Sequence, residues 1–293
     1  MDLPKLGVWY FTDGMTAPDS AAFVRELEAL GYGALWIPEA IGRHPFAHAA
    51  WLLANTEKLV IATGIASIYN RDPGATLAGA KTLAEQSGGR FVLGLGVSHQ
   101  PMVEMVRGHA YGKPLSTMRT YLGKMQQANA MYRAAPPAED APVVLAALGP
   151  KMLELSATAA RGAHPYFTTP EHTRTAREIM GPDAWLCVEQ KVIGVTDADK
   201  ARELARTTAK TYAALPNYRN NWIRLGFTES DIDSLSDSFI DATFAWGDVD
   251  TIQARIDAHF AAGASHVCIQ PVNPEGNLVV PDMNLLKLLA PGA

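Results

Sequence analysis

Three stretches of this chain carry residue types that could meet an anion, a flat ring or an exchanging proton. Leu148-Gly149-Pro150-Lys151 puts a glycine before a proline at the first position of a helix. Such a start leaves the amides of Lys151 and Met152 open at the positive end of the helix dipole, and Lys151 adds a charge. Alone, a Gly-Pro start is an ordinary turn with a solvated lysine. Joined to Thr168-Thr169, two hydroxyls at the end of the neighbouring strand, it reads as a phosphate site. The second and third stretches, Gly64-Ile65-Ala66-Ser67 and Gly96-Val97-Ser98, each follow an apolar strand. Glycine at a strand end admits close approach of a planar group; small residues equally suit a crowded interior, so that both readings stand. Gly94-Leu95-Gly96 is a weak dinucleotide fingerprint, because His99 and Gln100 stand where a third glycine belongs and no helix opens at once.

Proton chemistry has three candidates. His44 and His99 follow strands on the side where ligands bind in α/β proteins, and histidine titrates near neutral pH. Glu39 directly follows the second strand and could be a general acid, a substrate hydrogen-bond partner or a helix-cap anion. His44 and His48 have the i, i+4 spacing of a metal pair, but no third ligand follows at a diagnostic spacing, so no metal is expected. No Gly-x-Ser-x-Gly elbow, paired-carboxylate signature or CxxC site competes, which leaves the reactivity to a cofactor.

The elements that must position these residues alternate between strand and helix without a break in composition, as one α/β unit does. Apolar runs at 7–11, 34–37, 59–62, 91–95, 143–146, 163–167, 185–195 and 266–270 predict eight strands. Helices are predicted between them, several opened by proline or by a Thr or Asp cap, as at Pro73, Pro150, Thr169-Pro170 and Asp197. A strand, a helix and a parallel strand make a right-handed crossover, so the strand C-termini share one side. The segment 216–239, with Tyr218, Arg219, Asn220, Asn221, Trp222 and Arg224, is long for a βα connection. It reads as a surface helix pair or as a cap over a substrate cavity.

Composition sets the outer bounds. The chain has 293 residues, 48% of them apolar, and a net charge of −5, enough for a large core and without the clustered Lys and Arg of a nucleic-acid surface. Two cysteines, Cys187 and Cys268, each inside an apolar run, fit a reducing compartment and buried bystander thiols. No stretch suits a signal peptide or a membrane span, so a cytoplasmic location without membrane attachment is expected.

Taken together, several motifs resemble those of the bacterial luciferase-like superfamily, and most of all its deazaflavin (coenzyme F420) dependent oxidoreductases and reductases. They are Gly64-Ile65 followed by Tyr69-Asn70-Arg71-Asp72-Pro73, then Ser87-Gly88-Gly89-Arg90-Phe91 running into Leu93-Gly94-Leu95-Gly96, then Leu148-Gly149-Pro150-Lys151-Met152, and Thr168-Thr169-Pro170. The resemblance implies a (β/α)8 TIM barrel, residues 1–293 as a single domain with an inserted helical segment at 216–239. It also implies a non-prolyl cis peptide at Gly64-Ile65 backing the cofactor ring. Many relatives place an acid and then a histidine after the second strand, whereas this chain reads Glu39-Ala40.

The expected activity is hydride transfer between the deazaflavin C5 and a small organic substrate. Coenzyme F420 is the expected cofactor, and an FMN-dependent monooxygenase or a non-catalytic flavin-binding protein are the alternatives. Gly64, Ile65, Ala66, Ser67, Gly96, Val97 and Ser98 are expected under the ring, and Gly149, Pro150, Lys151, Thr168 and Thr169 at the phosphate-bearing tail. Glu39, His44 or His99 would manage the proton. A homodimer is expected through the apolar helix carrying Phe46, Ala49, Ala50, Leu52 and Leu53, with no nucleic-acid partner.

Overall fold

The computed structural model describes residues 1–277 and 280–292. Its centre is a closed barrel of eight parallel strands: β1 (Leu6–Trp9), β2 (Ala34–Ile37), β3 (Val60–Thr63), β4 (Phe91–Gly96), β5 (Val143–Leu145), β6 (Gly162–Ala163), β7 (Trp185–Ile193) and β8 (His266–Pro271). Closure is made by β8, which pairs with β1 at Val267 and Leu6 and with β7 at Val267 and Val188. Helices cover the outside, so the strands are buried on both faces and their residues run almost continuously apolar. This is the TIM barrel that the sequence motifs imply.

Local chemistry explains where the helices start. Asp72 accepts hydrogen bonds from the Gly74 and Ala75 amides at 2.9 and 3.0 Å and opens the helix Pro73–Ser87, which Gly88 ends at φ +63°. Thr169 and Asp197 cap Pro170–Met180 and Ala198–Ala213 in the same way.

Two departures from the sequence expectation concern the site. The sixth strand was expected over 163–167 but ends at Ala163, ahead of Pro165, which has no N–H to continue the ladder, and Phe167 then turns into the left-handed region at φ +57°. The segment 216–239 forms the helices Pro216–Arg224 and Glu229–Ser234 and begins a third, Asp237–Thr243. That helix runs into a short unforeseen strand, Phe244–Trp246, which pairs with the C-terminal half of β7. Cys187 and Cys268 are free and fully buried, and burial pushes both thiols up, which leaves them inert.

The helix Pro45–Ala54, expected to offer apolar surface to a second copy, spends most of it at home. Phe46, Ala49, Leu52 and Leu53 are buried in the chain's own core, while Trp51 remains exposed. Among the described residues no helix is long and apolar enough to cross a membrane.

Candidate cofactor and active site

The ends of β3 and β4 form one floor. The Gly64-Ile65 peptide is cis, with the Gly64 carbonyl accepting the Trp9 indole N–H at 3.0 Å and the Gly64 amide donating to the Ile37 carbonyl at 2.8 Å. Ala66 and Ser67 then pair with Leu95 and Gly96 as a short strand beside β4. The glycines here have specific steric causes. A Cβ on Gly64 would lie 2.6 Å from the Trp9 indole nitrogen, and one on Gly96 would lie 2.5 Å from the Ile65 side chain. The space left by Gly96 is therefore filled by Ile65, and it is Ile65, still partly exposed, that faces the mouth. Beyond Gly96, Val97 packs against the core and Ser98 adopts φ +56°. A non-glycine residue in that conformation at a strand end is uncommon and marks a site worth testing for function.

Glu39 sits beside this floor as a fixed anion. Its carboxylate accepts from both Arg71 guanidinium nitrogens and from the Ser67 amide at 2.8 Å, and only 6% of its side chain and 11% of that of Arg71 are exposed. Burial alone would raise its pKa, but hydrogen bonds from Arg71, Asn70 and the Ser67 amide, with the Arg71 charge, hold it below the usual carboxylate value. Such a group orients the Ala66-Ser67 strand and is poorly suited to donate a proton. His44 is exposed at the start of Pro45–Ala54, where its ring accepts from the Ala47 amide at 3.3 Å. His99 is half-buried, 5.7 Å from the Tyr218 ring, and burial lowers its pKa against a hydrogen bond with Asn217. His48, four residues after His44, faces away to Thr12 at 2.8 Å.

The helix Pro216–Arg224 packs on residues that follow β4 and β6. Tyr218 and Trp222 of Pro216–Arg224 pack on Phe167 at the end of β6, and the Trp222 indole donates to the Phe167 carbonyl at 3.2 Å. Tyr218 also meets His99 beyond β4, so this helix touches the residues that follow two strands.

On the opposite side of the mouth, polar groups converge without partners. Gly149 begins Pro150–Ala159 in extended conformation, and a Cβ there would meet nothing nearer than the Arg224 guanidinium at 3.6 Å. Lys151 and Pro150 are exposed beside it. One expected open donor is engaged, since the Met152 amide turns back to the Gly149 carbonyl at 3.1 Å. Thr169 uses its hydroxyl oxygen to cap the next helix. Thr168 Oγ1, Asn221 Nδ2 and His172 Nδ1 are buried and unpartnered; Thr168 and Asn221 are each 1% exposed. The same His172 donates through Nε2 to the Leu148 carbonyl at 2.9 Å, while Arg224 hydrogen-bonds Asn221 and, after burial, lowers the His172 pKa by its charge. Unpaired buried donors are costly, and two of them with a nearby guanidinium and helix start make this the candidate anion site. The polar, aromatic composition of 216–224 marks Asn221 and Arg224 for a cap but not for an anion site, and no local signal marks His172.

Comparison with known proteins shows the family and the fold. The family model described as luciferase-like monooxygenase matches residues 1–266, and the chain belongs to that family. A Mycobacterium tuberculosis protein provisionally named as a coenzyme F420-dependent oxidoreductase is 30% identical over 195 residues, a match spanning 57% of this chain and 55% of that one. The 5,10-methylenetetrahydromethanopterin reductase of Archaeoglobus fulgidus is 26% identical over 92% of this chain and 95% of its own length. Among solved structures, an F420-dependent secondary alcohol dehydrogenase in complex with an F420-acetone adduct superimposes with a TM-score of 0.75. It is 15% identical over 99% of this chain and 97% of the other, a likeness of fold.

Proposed function

We propose that this chain is a coenzyme F420-dependent oxidoreductase acting on a small organic molecule. The observation that carries the reading is the anion pocket, where Thr168 Oγ1 and Asn221 Nδ2 are buried donors without partners beside Arg224 and the Gly149-Pro150 helix start. These residues fit a phosphate-bearing tail. The floor made by Gly64, Ile65, Ala66, Ser67, Gly96, Val97 and Ser98 suits the flat ring, with Ile65 as its backing. When bound, the deazaflavin supplies a hydride donor or acceptor at C5. Helix Pro216–Arg224 excludes water from above, and Trp9 and Tyr166, 4.9 Å apart, line the apolar side.

Of the three proton candidates, His99 has the place for the task. It lies in the mouth under Tyr218, whereas Glu39 is committed to Arg71 and His44 faces solvent. Burial lowers its pKa and so favours the neutral imidazole, the form that accepts a proton, while the hydrogen bond with Asn217 orients the ring.

The test is a titration of purified protein with F420 and with FMN, followed by turnover assays with the reduced form of whichever binds. Binding of F420 with anaerobic reduction of an imine, enone or ketone supports the proposal. Preference for FMN with oxygen consumption makes the chain a monooxygenase, and binding of either without turnover of any substrate makes it a carrier.

A further inference from the structure

Two charged residues lie inside the mostly apolar strand β7. Glu189 and Lys191 are both 0% exposed, and the Lys191 ammonium donates to both Glu189 oxygens at 3.2 Å. Aromatic rings close around that ammonium, with the centroids of Tyr166, Phe167 and Tyr212 at 3.7, 4.0 and 5.1 Å. Tyr166 is held in turn by Gln270 at 2.8 Å and Tyr212 at 2.7 Å through its hydroxyl. No atom of the pair reaches the mouth, so direct contact with substrate is excluded.

The pair reaches the anion pocket through the backbone. Glu189 Oε2 accepts the Phe167 amide at 2.8 Å, and Phe167 is the residue forced to φ +57° immediately before Thr168. Its carbonyl, on the other side of the same residue, is held by the Trp222 indole. Both peptide planes of Phe167 are thus pinned, one by β7 and one by the helix Pro216–Arg224. An L-residue abandons the left-handed region when such anchors are released, and the next hydroxyl along the chain swings with it.

We propose that Glu189 is a positioning residue, which holds the Phe167 turn so that the Thr168 hydroxyl points into the phosphate pocket, while Lys191 offsets its buried charge. The proposal rests on the F420 reading for the identity of the ligand, though not for the existence of an anion site. It also accounts for a fully buried ion pair in a barrel strand, where desolvation makes a pair a poor source of stability.

Two neutral double variants isolate the contact. Glu189→Gln/Lys191→Met removes both charges and keeps an amide oxygen for the Phe167 N–H; Glu189→Leu/Lys191→Met removes both charges and the acceptor. Each is titrated with F420, with its phosphate-free deazaflavin-ribityl fragment and with inorganic phosphate, and each is melted thermally.

The Gln/Met variant should bind F420 within threefold of the parent, and the Leu/Met variant at least tenfold more weakly, with the fragment changed less than threefold in both. A merely structural role would lower melting temperature and weaken the fragment together with F420. Equal F420 binding by the two variants, or equal losses for F420 and the fragment, overturns the proposal. If the parent binds phosphate but not F420, the cofactor reading fails, and the positioning role is judged on whether the Leu/Met variant loses phosphate while the Gln/Met variant keeps it. If the parent binds neither, both fall.

Discussion

Replacing Arg71 by methionine tests whether Glu39 is a fixed anion or a proton donor. The substitution keeps much of the apolar stem and leaves the Glu39 carboxylate, 6% exposed, with the Ser67 amide as a remaining partner. At an effective dielectric near 20, opposite charges about 4 Å apart attract by about 4 kcal/mol. Breaking such a pair by removing one member costs about 3–5 kcal/mol, because the other charge stays buried. In a chain of this size that is a fall of about 6–10 °C in melting temperature. The double variant Glu39→Gln/Arg71→Met removes both charges and should recover part of it, giving a coupling of about 2–3 kcal/mol in a double-mutant cycle read by urea unfolding. The pH dependence supplies the sign. Glu39 is held below its unfolded value of about 4.3, so its contribution is complete above that pH and is lost only as pH falls through the lower folded value. The stability gap between the parent and Glu39→Gln should therefore be flat from pH 8 to pH 5. Additive single variants, or a gap that closes between pH 7 and 5, would refute the fixed-anion account and return Glu39 to the list of acids.

Arg224→Gln should weaken F420 at least tenfold and its phosphate-free fragment hardly at all, while stability changes by no more than about 0.5 kcal/mol because the side chain is largely exposed. Gly149→Val, at an extended φ of −89° with 3.6 Å of clearance to Arg224, should fold normally and still lose cofactor affinity in isothermal titration. Gly96→Ala, by contrast, drives a methyl to 2.5 Å from Ile65 and should cost about 1–3 kcal/mol in chemical unfolding as well as ring affinity. His48, His164 and His266 are depressed to about 4 and His259 to about 3, each chiefly by burial, so the unfolded chain binds more protons below about pH 6.5 and each contributes about 1.4 kcal/mol of instability per pH unit. Circular dichroism should show unfolding before pH 4; a chain still folded there contradicts their neutral burial. A homodimer through Pro45–Ala54 should be abolished by Trp51→Glu in sedimentation, Trp51 being the large apolar side chain that this helix leaves exposed.

Features governed by near neighbours in the chain were legible from sequence. The apolar runs, the proline and Asp or Thr helix starts, the glycine-bearing strand ends and the motifs of the family depend on contacts within a few residues, and β2, Pro73–Ser87 and Pro150–Ala159 fall where their local signals put them. Floor and phosphate-pocket candidates followed from the same signals, because parallel strands send all their C-termini to one side. What residues on that side do to one another was decided by closure of the barrel. Glu39 meets Arg71 across 32 positions, Trp222 meets Phe167 across 55, and Glu189 meets the Phe167 amide across 22. That last contact, formed only when β7 is alongside, pins the Phe167 turn beyond the sixth strand, which the run at 163–167 does not announce. Asn221 and Arg224 look like surface residues of a polar helix until that helix is packed against Phe167, and the charge on Lys191 looks misplaced until three aromatic rings surround it. Periodicity reports which face of an element is buried; which partner waits there, and so whether a carboxylate is an acid or an anchor, is a property of the closed barrel.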